Sequence, residues 1–272
     1  MKTNYQTKKG TALITGASSG IGEIYADRLA KRGYNLILVA RDQKKLENLA
    51  KRLTEETGVQ AEAFQADLTS KADLGRVETR LRNDKQITLL VNNAGMSVEG
   101  SLVGGNLDRI ETMIQLNVTA PTRLAGAVAP AFVSRGSGTI VNIASVLALA
   151  PELFSGVYGG TKAYLLNLSQ SLHQEIGQKG VRIQAVLPGA TRTAIWEKSG
   201  KDVSKLPPGI EVMEAEEMVD AALVGLDLGE IVTIPSLPDV SDWDALNTTR
   251  QALKLKLSRA HAADRYKAPV SL

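Results

Sequence analysis

Short apolar runs alternate with longer amphipathic stretches along most of this 272-residue chain. Nearly continuous hydrophobic strands, each followed by a helix, are typical of a parallel sheet covered on both faces. The pattern predicts a doubly wound α/β fold in a single domain, with a seven-stranded parallel sheet flanked by helices. Strands are predicted at 12–15, 35–40, 60–65, 88–92, 138–144, 182–187 and 230–235, and helices at 21–31, 43–56, 71–83, 107–133, 158–178 and 214–227. Residues 1–9 are predicted to be a flexible N-terminus, and 236–272 a C-terminal helical extension.

Composition narrows the classes of function. The chain has no cysteine, which excludes disulfides and thiolate sites, and its two histidines lack the spacing of metal ligands. A net charge of +3 is too slight to indicate nucleic acid. The most apolar window, 139–157, is interrupted by polar residues and a proline, and the N-terminus lacks the apolar core of a signal peptide. We therefore expect no metal, no nucleic acid, no membrane span and a cytoplasmic location.

The first predicted strand runs directly into the glycine-rich sequence TGASSGIG, residues 15–22, and then into a helix. Glycines there let the chain turn tightly and bring backbone amides against a pyrophosphate at the helix N-terminus. The spacing is G-x-x-x-G-x-G, and an ordinary strand-to-helix loop is the alternative interpretation. Its position after the first strand favours a dinucleotide site of the Rossmann type. The candidate cofactor residues here are Gly16, Ser18, Ser19, Gly20, Ile21 and Gly22.

The end of the second strand bears on which nucleotide binds. An enzyme that uses NAD places a carboxylate about twenty residues after the glycines, where it holds the ribose 2′-hydroxyl. Here Arg41 follows Ala40, and a guanidinium suits a 2′-phosphate. Asp42 is better placed as the N-cap of the helix that begins at Gln43. We therefore predict NADP rather than NAD, the alternative being that Arg41 is a solvated surface residue.

Two further strand ends supply cofactor candidates. Asp67, followed by Leu68, could accept a hydrogen bond from the adenine amino group or could cap the helix near Lys71. The fourth strand ends in the sequence NNAG, whose small residues allow the backbone to approach a flat cofactor. Its candidates are Asn93, Ala94 and Gly95.

Tyr158 and Lys162 stand at positions i and i+4 of a predicted helix, so both side chains can reach one small volume. A nearby ammonium favours the phenolate and lowers the tyrosine pKa from its usual value of about 10. The Ser145 hydroxyl can hold a carbonyl oxygen on which charge develops. The ordinary explanation of such a pair is a surface lysine lying along a ring. Asn117 is unfavourable within a long helix, so we expect it to disturb that helix and hold a water.

Together these motifs resemble the short-chain dehydrogenase/reductase family over roughly residues 10–235. The resemblance implies hydride exchange between NADP(H) and a secondary alcohol or ketone. It implies that Tyr158 is the general acid/base, that Ser145 positions the substrate oxygen, and that Asn117 anchors a water in a proton relay. Lys162 would hold the nicotinamide ribose and lower the Tyr158 pKa. The residues implied to flank the nicotinamide are Pro188, Gly189, Thr191 and Thr193.

The chain departs from the family pattern in two places. Gly159 and Gly160 precede Thr161, where small residues ending in serine are commoner, and each glycine costs a helix about 1 kcal/mol against alanine. We expect these glycines to permit close contact with the cofactor or a partner helix. The tail after residue 235 contains a predicted basic helix at 244–263, either solvated or facing an acidic partner. This tail makes the usual tetramer doubtful, while a dimer through helices 107–133 and 158–178 is expected.

The segment after Ser145 is apolar, which predicts an uncharged, mainly aliphatic or alicyclic ketone as the substrate. The candidate substrate residues are Ser145, Leu147, Leu153, Phe154 and Trp196, and the polar segment 194–210 is a candidate lid. The leading hypothesis is an NADP-dependent carbonyl reductase. A ketoacyl-thioester reductase, a non-catalytic nucleotide sensor, and an epimerase or dehydratase are the alternatives.

Overall fold

The computed structural model describes residues 9–98, 102–153, 156–193 and 209–267. The chain divides into two compact units, Met1–Pro235 and Ser236–Leu272, and each is described by itself. The single-domain interpretation stays a prediction. In the described part of the chain, no helix has both the length and the apolar character needed to cross a membrane.

A parallel sheet forms the centre of the first unit. Its strands are β1 (Thr11–Thr15), β2 (Asn35–Ala40), β3 (Ala61–Gln65), β4 (Ile87–Asn92), β5 (Gly138–Ile143), β6 (Val181–Val186) and β9 (Val232–Thr233), in the order β3-β2-β1-β4-β5-β6-β9. The seven-stranded parallel sheet is thus confirmed. Two short strands that the sequence did not predict, β7 (Thr191–Arg192) and β8 (Met213–Glu214), pair with each other. The strand order reverses between β1 and β4, which opens a crevice at their carboxyl ends.

Helices connect the strands and bury an apolar core on each face of the sheet. They are α1 (Gly20–Lys31), α2 (Gln43–Thr57), α3 (Lys71–Asn83), α4 (Leu107–Ile114), α5 (Ala120–Ser134), α6 (Gly156–Ile176) and α7 (Ala215–Leu228). The stretch predicted as one helix over 107–133 is interrupted by a π-helical turn, Gln115–Thr119, between α4 and α5. Asn117 lies at its centre, which confirms that this asparagine disturbs the helix.

Side-chain caps fix where several helices begin. The Asp42 carboxylate accepts from the Lys45 amide at the start of α2, which confirms its predicted role. Ser70 caps α3, accepting from the Asp73 amide. The proposed alternative role of Asp67 as the cap of that helix is therefore wrong.

In its described part the second unit contains one α-helix, α8 (Val240–Ala252), followed by the short 3₁₀ turns Lys254–Lys256 and Asp264–Tyr266. The predicted helix over 244–263 begins too late and ends too late. Asp239 caps α8 by accepting from the Ser241 amide, which places its start earlier than predicted. After Ala252 the leucines alternate with lysines, a period of two that does not favour continued helix.

A buried carboxylate joins α3 to α5. The side chain of Glu78 is only 4% exposed, and it accepts hydrogen bonds from Arg82 at 2.7 Å and from Arg123. Burial alone would raise the pKa of Glu78, but the hydrogen bonds from the two guanidinium groups outweigh it and hold that pKa below its usual value. The ionised carboxylate therefore stabilises the contact between the helices.

Replacing Glu78 with glutamine should lower the free energy of unfolding by about 2 kcal/mol at pH 7, because two half-exposed arginines lose a buried, charged hydrogen-bond partner. A depressed pKa stabilises the fold above the unfolded value of about 4.3, and this contribution disappears as pH falls through the folded value. The difference between wild type and Glu78→Gln in urea denaturation should therefore shrink below about pH 4.

The matched control is Glu55→Gln, which removes an exposed carboxylate 3.9 Å from Lys51 and should cost less than about 1 kcal/mol. Equal losses in the two variants would show that burial does not strengthen the Glu78 contacts.

Candidate active site

The glycine-rich loop lies at the carboxyl end of β1 and leads directly into α1. Gly16 and Gly20 have left-handed backbones, with φ of 69° and 58°. A Cβ on Gly22 would lie 2.4 Å from the Gly16 carbonyl oxygen, so only glycine fits there. Ser18, Ser19 and Ile21 complete the turn and remain partly exposed. The loop therefore presents backbone amides at a helix N-terminus, an arrangement that suits a phosphate.

The end of β4 packs directly against this loop. The Thr15 hydroxyl oxygen accepts hydrogen bonds from the amides of Asn93 and Ala94, at 3.0 and 2.9 Å. The Asn93 side chain donates to the Thr15 carbonyl oxygen at 2.9 Å. A Cβ on Gly16 would lie 2.7 Å from the side-chain amide nitrogen of Asn93. These contacts hold two of the predicted cofactor segments side by side.

The candidates for the adenosine end follow β2 and β3. Arg41 is exposed, and its carbonyl oxygen accepts from the Gln65 side chain at 3.0 Å. Asp67 uses one carboxylate oxygen to accept from the amide and hydroxyl of Thr69, at 3.0 and 2.7 Å. Leu68 is buried in the core below. Because β2 and β3 are neighbours, Arg41 and Asp67 lie at the same edge of the sheet.

Asn117 is buried, and contacts on two sides hold its side chain. It accepts from the Met96 amide at 2.9 Å and donates to the Met96 carbonyl oxygen at 2.8 Å. It also donates to the Thr161 hydroxyl at 3.1 Å, and that hydroxyl donates to the Tyr158 carbonyl oxygen at 2.8 Å. Asn117 thereby joins the segment after β4 to the first turns of α6. Its predicted water stays a prediction.

Tyr158 and Lys162 lie on the first turns of α6, with the lysine Nζ 5.7 Å from the centroid of the tyrosine ring. Lys162 is only 5% exposed, and its Nζ donates to the Ile143 carbonyl oxygen at 2.8 Å. A Cβ on Gly95 would lie 3.6 Å from that Nζ and 3.3 Å from the Asn117 side-chain oxygen. Lys162 is therefore not a surface lysine lying along a ring.

The pKa values of this pair differ from the sequence prediction. Burial raises the pKa of Tyr158 to about 12, and burial lowers the pKa of Lys162 to about 8. Desolvation disfavours the charged form of each group and is the cause of both shifts. Burial thus sets the net shift of the Tyr158 pKa, and a lowering contribution from Lys162 stays a prediction. The phenol stays protonated near neutral pH and can act as a proton donor.

Ser145 and the segment after β6 close the other side of the crevice. The Ser145 hydroxyl oxygen accepts from the Leu147 amide at 3.2 Å and lies 3.5 Å from the Pro188 carbonyl oxygen. The Thr191 hydroxyl donates to the Gly189 carbonyl oxygen at 3.1 Å. A Cβ on Gly20 would lie 3.4 Å from the Thr193 Cβ, so the segment reaches back to the glycine-rich loop.

The predicted substrate residues are only partly described. Leu147 is half-buried just after Ser145, and Leu153 is 59% exposed. Phe154, Trp196 and most of the candidate lid lie outside the described residues. Among the residues that are described, no three acidic or histidine side chains are grouped so that they could hold a metal ion.

Sequence reasoning missed the roles of two threonines. Thr15 holds the NNAG segment, and Thr161 links Asn117 to Tyr158. A polar residue at the end of an apolar strand was the available signal for Thr15. For Thr161 the signal was its place beside Lys162, but it was noted only as a departure from the family.

The two glycines of α6 have different surroundings. A Cβ on Gly159 would lie 3.0 Å from the Leu147 carbonyl oxygen, whereas a Cβ on Gly160 would have nothing within 4 Å among the described atoms. Gly159 thus permits contact with the turn that follows Ser145, and its close contact with the cofactor or a partner helix stays a prediction.

The chain matches the family model for short chain dehydrogenases over residues 10–204. It is similar to a short-chain dehydrogenase from Sphingobium yanoikuyae whose structure holds NADPH, at 56% identity and a TM-score of 0.92, over 94% of this chain and 99% of that one. It is also similar to a bulky-bulky ketone specific alcohol dehydrogenase from Comamonas testosteroni, at 52% identity and a TM-score of 0.88, over 97% and 100%. A very-long-chain 3-oxoacyl-CoA reductase from Bos taurus is 36% identical over 69% of this chain and 63% of its own length.

The variant Gly159→Ala should reduce kcat severalfold in hydride-transfer assays, because the new methyl group pushes the Leu147 backbone and with it Ser145. Gly160→Ala is the control, since it has open space and should raise the free energy of unfolding by up to about 1 kcal/mol. Similar kcat values in the two variants would show that the contact with Leu147 does not position Ser145.

Proposed function

Because the chain belongs to the short chain dehydrogenase family and is an oxidoreductase, we propose that it reduces ketones to secondary alcohols with NADPH. The observation that carries this proposal is the meeting of Asn117 and the buried Lys162 at Gly95, with Tyr158 one helical turn away. Ser145 lies on the turn that packs against the same helix through Gly159.

The described residues fit a dinucleotide. Gly16 and Gly20 turn the chain in left-handed conformations at the start of α1, and Thr193 lies against Gly20. Gly16, Gly20 and Gly22 would hold the pyrophosphate, while Pro188, Gly189, Thr191 and Thr193 would flank the nicotinamide. When bound, the nicotinamide supplies the hydride that the carbonyl carbon receives. The NADPH complex of the similar Sphingobium protein supports this cofactor.

Arg41 supports NADPH over NADH. It is exposed at the end of β2, where a 2′-phosphate would lie, and the neighbouring Asp42 carboxylate is already engaged as a helix cap. Asp67 keeps the role of an adenine contact in this proposal, with Asn93, Ala94 and Gly95 bordering the adenosine.

The chain's own residues perform the proton step. Ser145 orients the substrate oxygen through its hydroxyl, and Tyr158 donates its phenolic proton to that oxygen as the carbonyl carbon is reduced. The raised pKa of Tyr158, about 12, keeps this proton available at neutral pH. Lys162 stabilises the phenolate that remains, and Asn117 and its water lead a replacement proton to it.

An uncharged ketone with bulky groups on both sides is the proposed substrate class. Leu147 and the exposed Leu153 give the segment after Ser145 an apolar surface, and the similar Comamonas enzyme is specific for bulky-bulky ketones. A 3-ketoacyl thioester is the second candidate, favoured by the similarity to the bovine 3-oxoacyl-CoA reductase.

We also propose a homo-oligomer. Leu107 and Ile114 on α4 and Tyr164 on α6 are exposed apolar or aromatic side chains on the two helical stretches predicted to form a dimer. The particle mass from light scattering measures this directly.

Oxidation of NADPH should be fastest with ketones that carry two bulky groups, such as cyclohexyl phenyl ketone, and slower with acetone or an acetoacetyl thioester.

Tyr158→Phe should reduce kcat by at least about 10²-fold, because the proton donor is lost, while fluorescence titration should show unchanged NADPH binding. Retained turnover in this variant would contradict the acid role. A preference for the thioester would select the second candidate.

Arg41→Ala should weaken NADPH binding by about 10- to 100-fold, because a charge-assisted contact to the phosphate is removed. Binding of NADH, titrated by the same fluorescence signal, should change less than about threefold. Lys51→Ala is the control, since it removes an exposed positive charge farther along α2. Equal weakening of both nucleotides by Arg41→Ala would exclude the phosphate contact.

A further inference from the structure

A buried network of hydrogen-bonded side chains lies behind the site and connects β4, β5 and α6. The Asn92 amide donates to the Asn142 side-chain oxygen at 2.9 Å, and the Asn142 amide donates to the Ser169 hydroxyl oxygen at 2.9 Å. Ser169 in turn donates to the Leu165 carbonyl oxygen at 2.7 Å. All three polar residues are at most 4% exposed. Each hydrogen bond therefore lies in a dry interior, where its geometry is strongly enforced.

This network reaches α6 on the face that carries Lys162. Ser169 follows Lys162 by about two helical turns and projects from the same side of α6. On β5, Asn142 adjoins Ile143, whose carbonyl oxygen accepts from the Lys162 Nζ at 2.8 Å. The helix is thus joined to one strand at two points about 10 Å apart along its axis. Two points fix both its position along the strand and its rotation.

The same network also reaches the site from β4. Asn92 is followed by the segment that ends at Gly95, and Gly95 lies against both the Lys162 Nζ and the Asn117 side chain. The side-chain hydrogen bonds and the backbone segments 92–95 and 142–143 therefore form a closed ring of contacts that includes Lys162.

We propose that Asn142 and Ser169 are positioning residues for Lys162, and through it for Tyr158, in the reaction proposed above. Neither side chain takes part in the chemistry. They set the height and rotation of α6 so that the lysine stands between the Ile143 carbonyl and the tyrosine ring.

The polarity of this interior supports the assignment. The Asn92 side-chain oxygen is buried and has no hydrogen-bond partner among the described atoms, which costs about 1–3 kcal/mol. Apolar side chains would fill the same space without that cost, but they would not specify an angle between α6 and β5. The network is therefore explained by directional contact rather than by burial.

The surroundings of Lys162 make the stabilisation of the Tyr158 phenolate depend on where the lysine lies. The polar groups described around it are uncharged, namely the Ile143 carbonyl oxygen, the Asn117 amide and the backbone at Gly95. The Lys162 Nζ lies 5.7 Å from the centroid of the Tyr158 ring, at a distance set by α6. A small movement of the helix changes the stabilisation of the phenolate.

The test is Ser169→Ala, which removes one hydrogen-bond acceptor and little volume. Ser171→Ala is the matched control, because it removes an exposed serine hydroxyl of the same helix, bonded to Glu175 at 2.9 Å. We expect Ser169→Ala to lower kcat about tenfold and to weaken NADPH binding severalfold. The alkaline limb of the kcat–pH profile, which reports Tyr158 beside Lys162, should move upward by about half a pH unit or more. Ser169→Thr should restore all three values, and Ser171→Ala should leave them unchanged.

These readouts separate positioning from stability alone. Ser169→Ala would overturn the proposal if it lowered the melting temperature but left the pH limb and the NADPH affinity equal to those of Ser171→Ala. Should Ser169→Ala fail to fold, Ser169→Cys keeps the volume with a weaker acceptor and is judged by the same criteria. Failure of the proposed function is distinguishable, since wild type would then reduce no ketone, and the NADPH affinity of the variants would still decide the positioning role.

Discussion

The burial of one amine determines how the rest of the site is arranged. Lys162 lies at the carboxyl ends of the strands with its Nζ on a backbone carbonyl oxygen, and burying an amine is costly unless it has a hydrogen-bond acceptor. The Ile143 carbonyl oxygen is that acceptor, and Gly95 and the Asn117 side chain lie close by on two other segments. Each of those segments must arrive at the correct height for the amine to be accommodated. The architecture of the sheet and the chemistry of the site are therefore one constraint.

Glycines, which have no side chain, shape this site as much as the larger residues do. At Gly16, Gly22 and Gly159 a Cβ would collide with, or press on, a neighbouring segment of the chain. Close backbone approach at these points removes the space that side chains would otherwise fill, and leaves the groove to a flat ligand. Gly16 and Gly22 therefore hold the glycine-rich loop against the segment after β4, and Gly159 holds the turn after Ser145 against α6.

The sheet and most helices could be predicted from the sequence because the periodicity of apolar residues is a local signal. The bounds of β2 and α3 agree with the prediction for that reason. The π-helical turn could only be anticipated as a disturbance, because its form depends on contacts of Asn117 with distant residues. The contact of Gly159 with Leu147 and the raised net pKa of Tyr158 were not predicted, since both depend on what packs around them. The end of α8 was predicted too late, since the leucines after Ala252 alternate with lysines and this period of two does not favour a helix.

The π-helical turn has a consequence for α5 beyond the asparagine that it carries. If the same residues formed a regular α-helix without this wider turn, everything downstream would rotate by about 100° relative to α4. Arg123 would then swing away from Glu78. The wider turn thus sets the phase of α5 while it holds Asn117 against Met96 and Thr161. A homologous chain with the same number of residues but a regular helix here should be expected to have lost both features together.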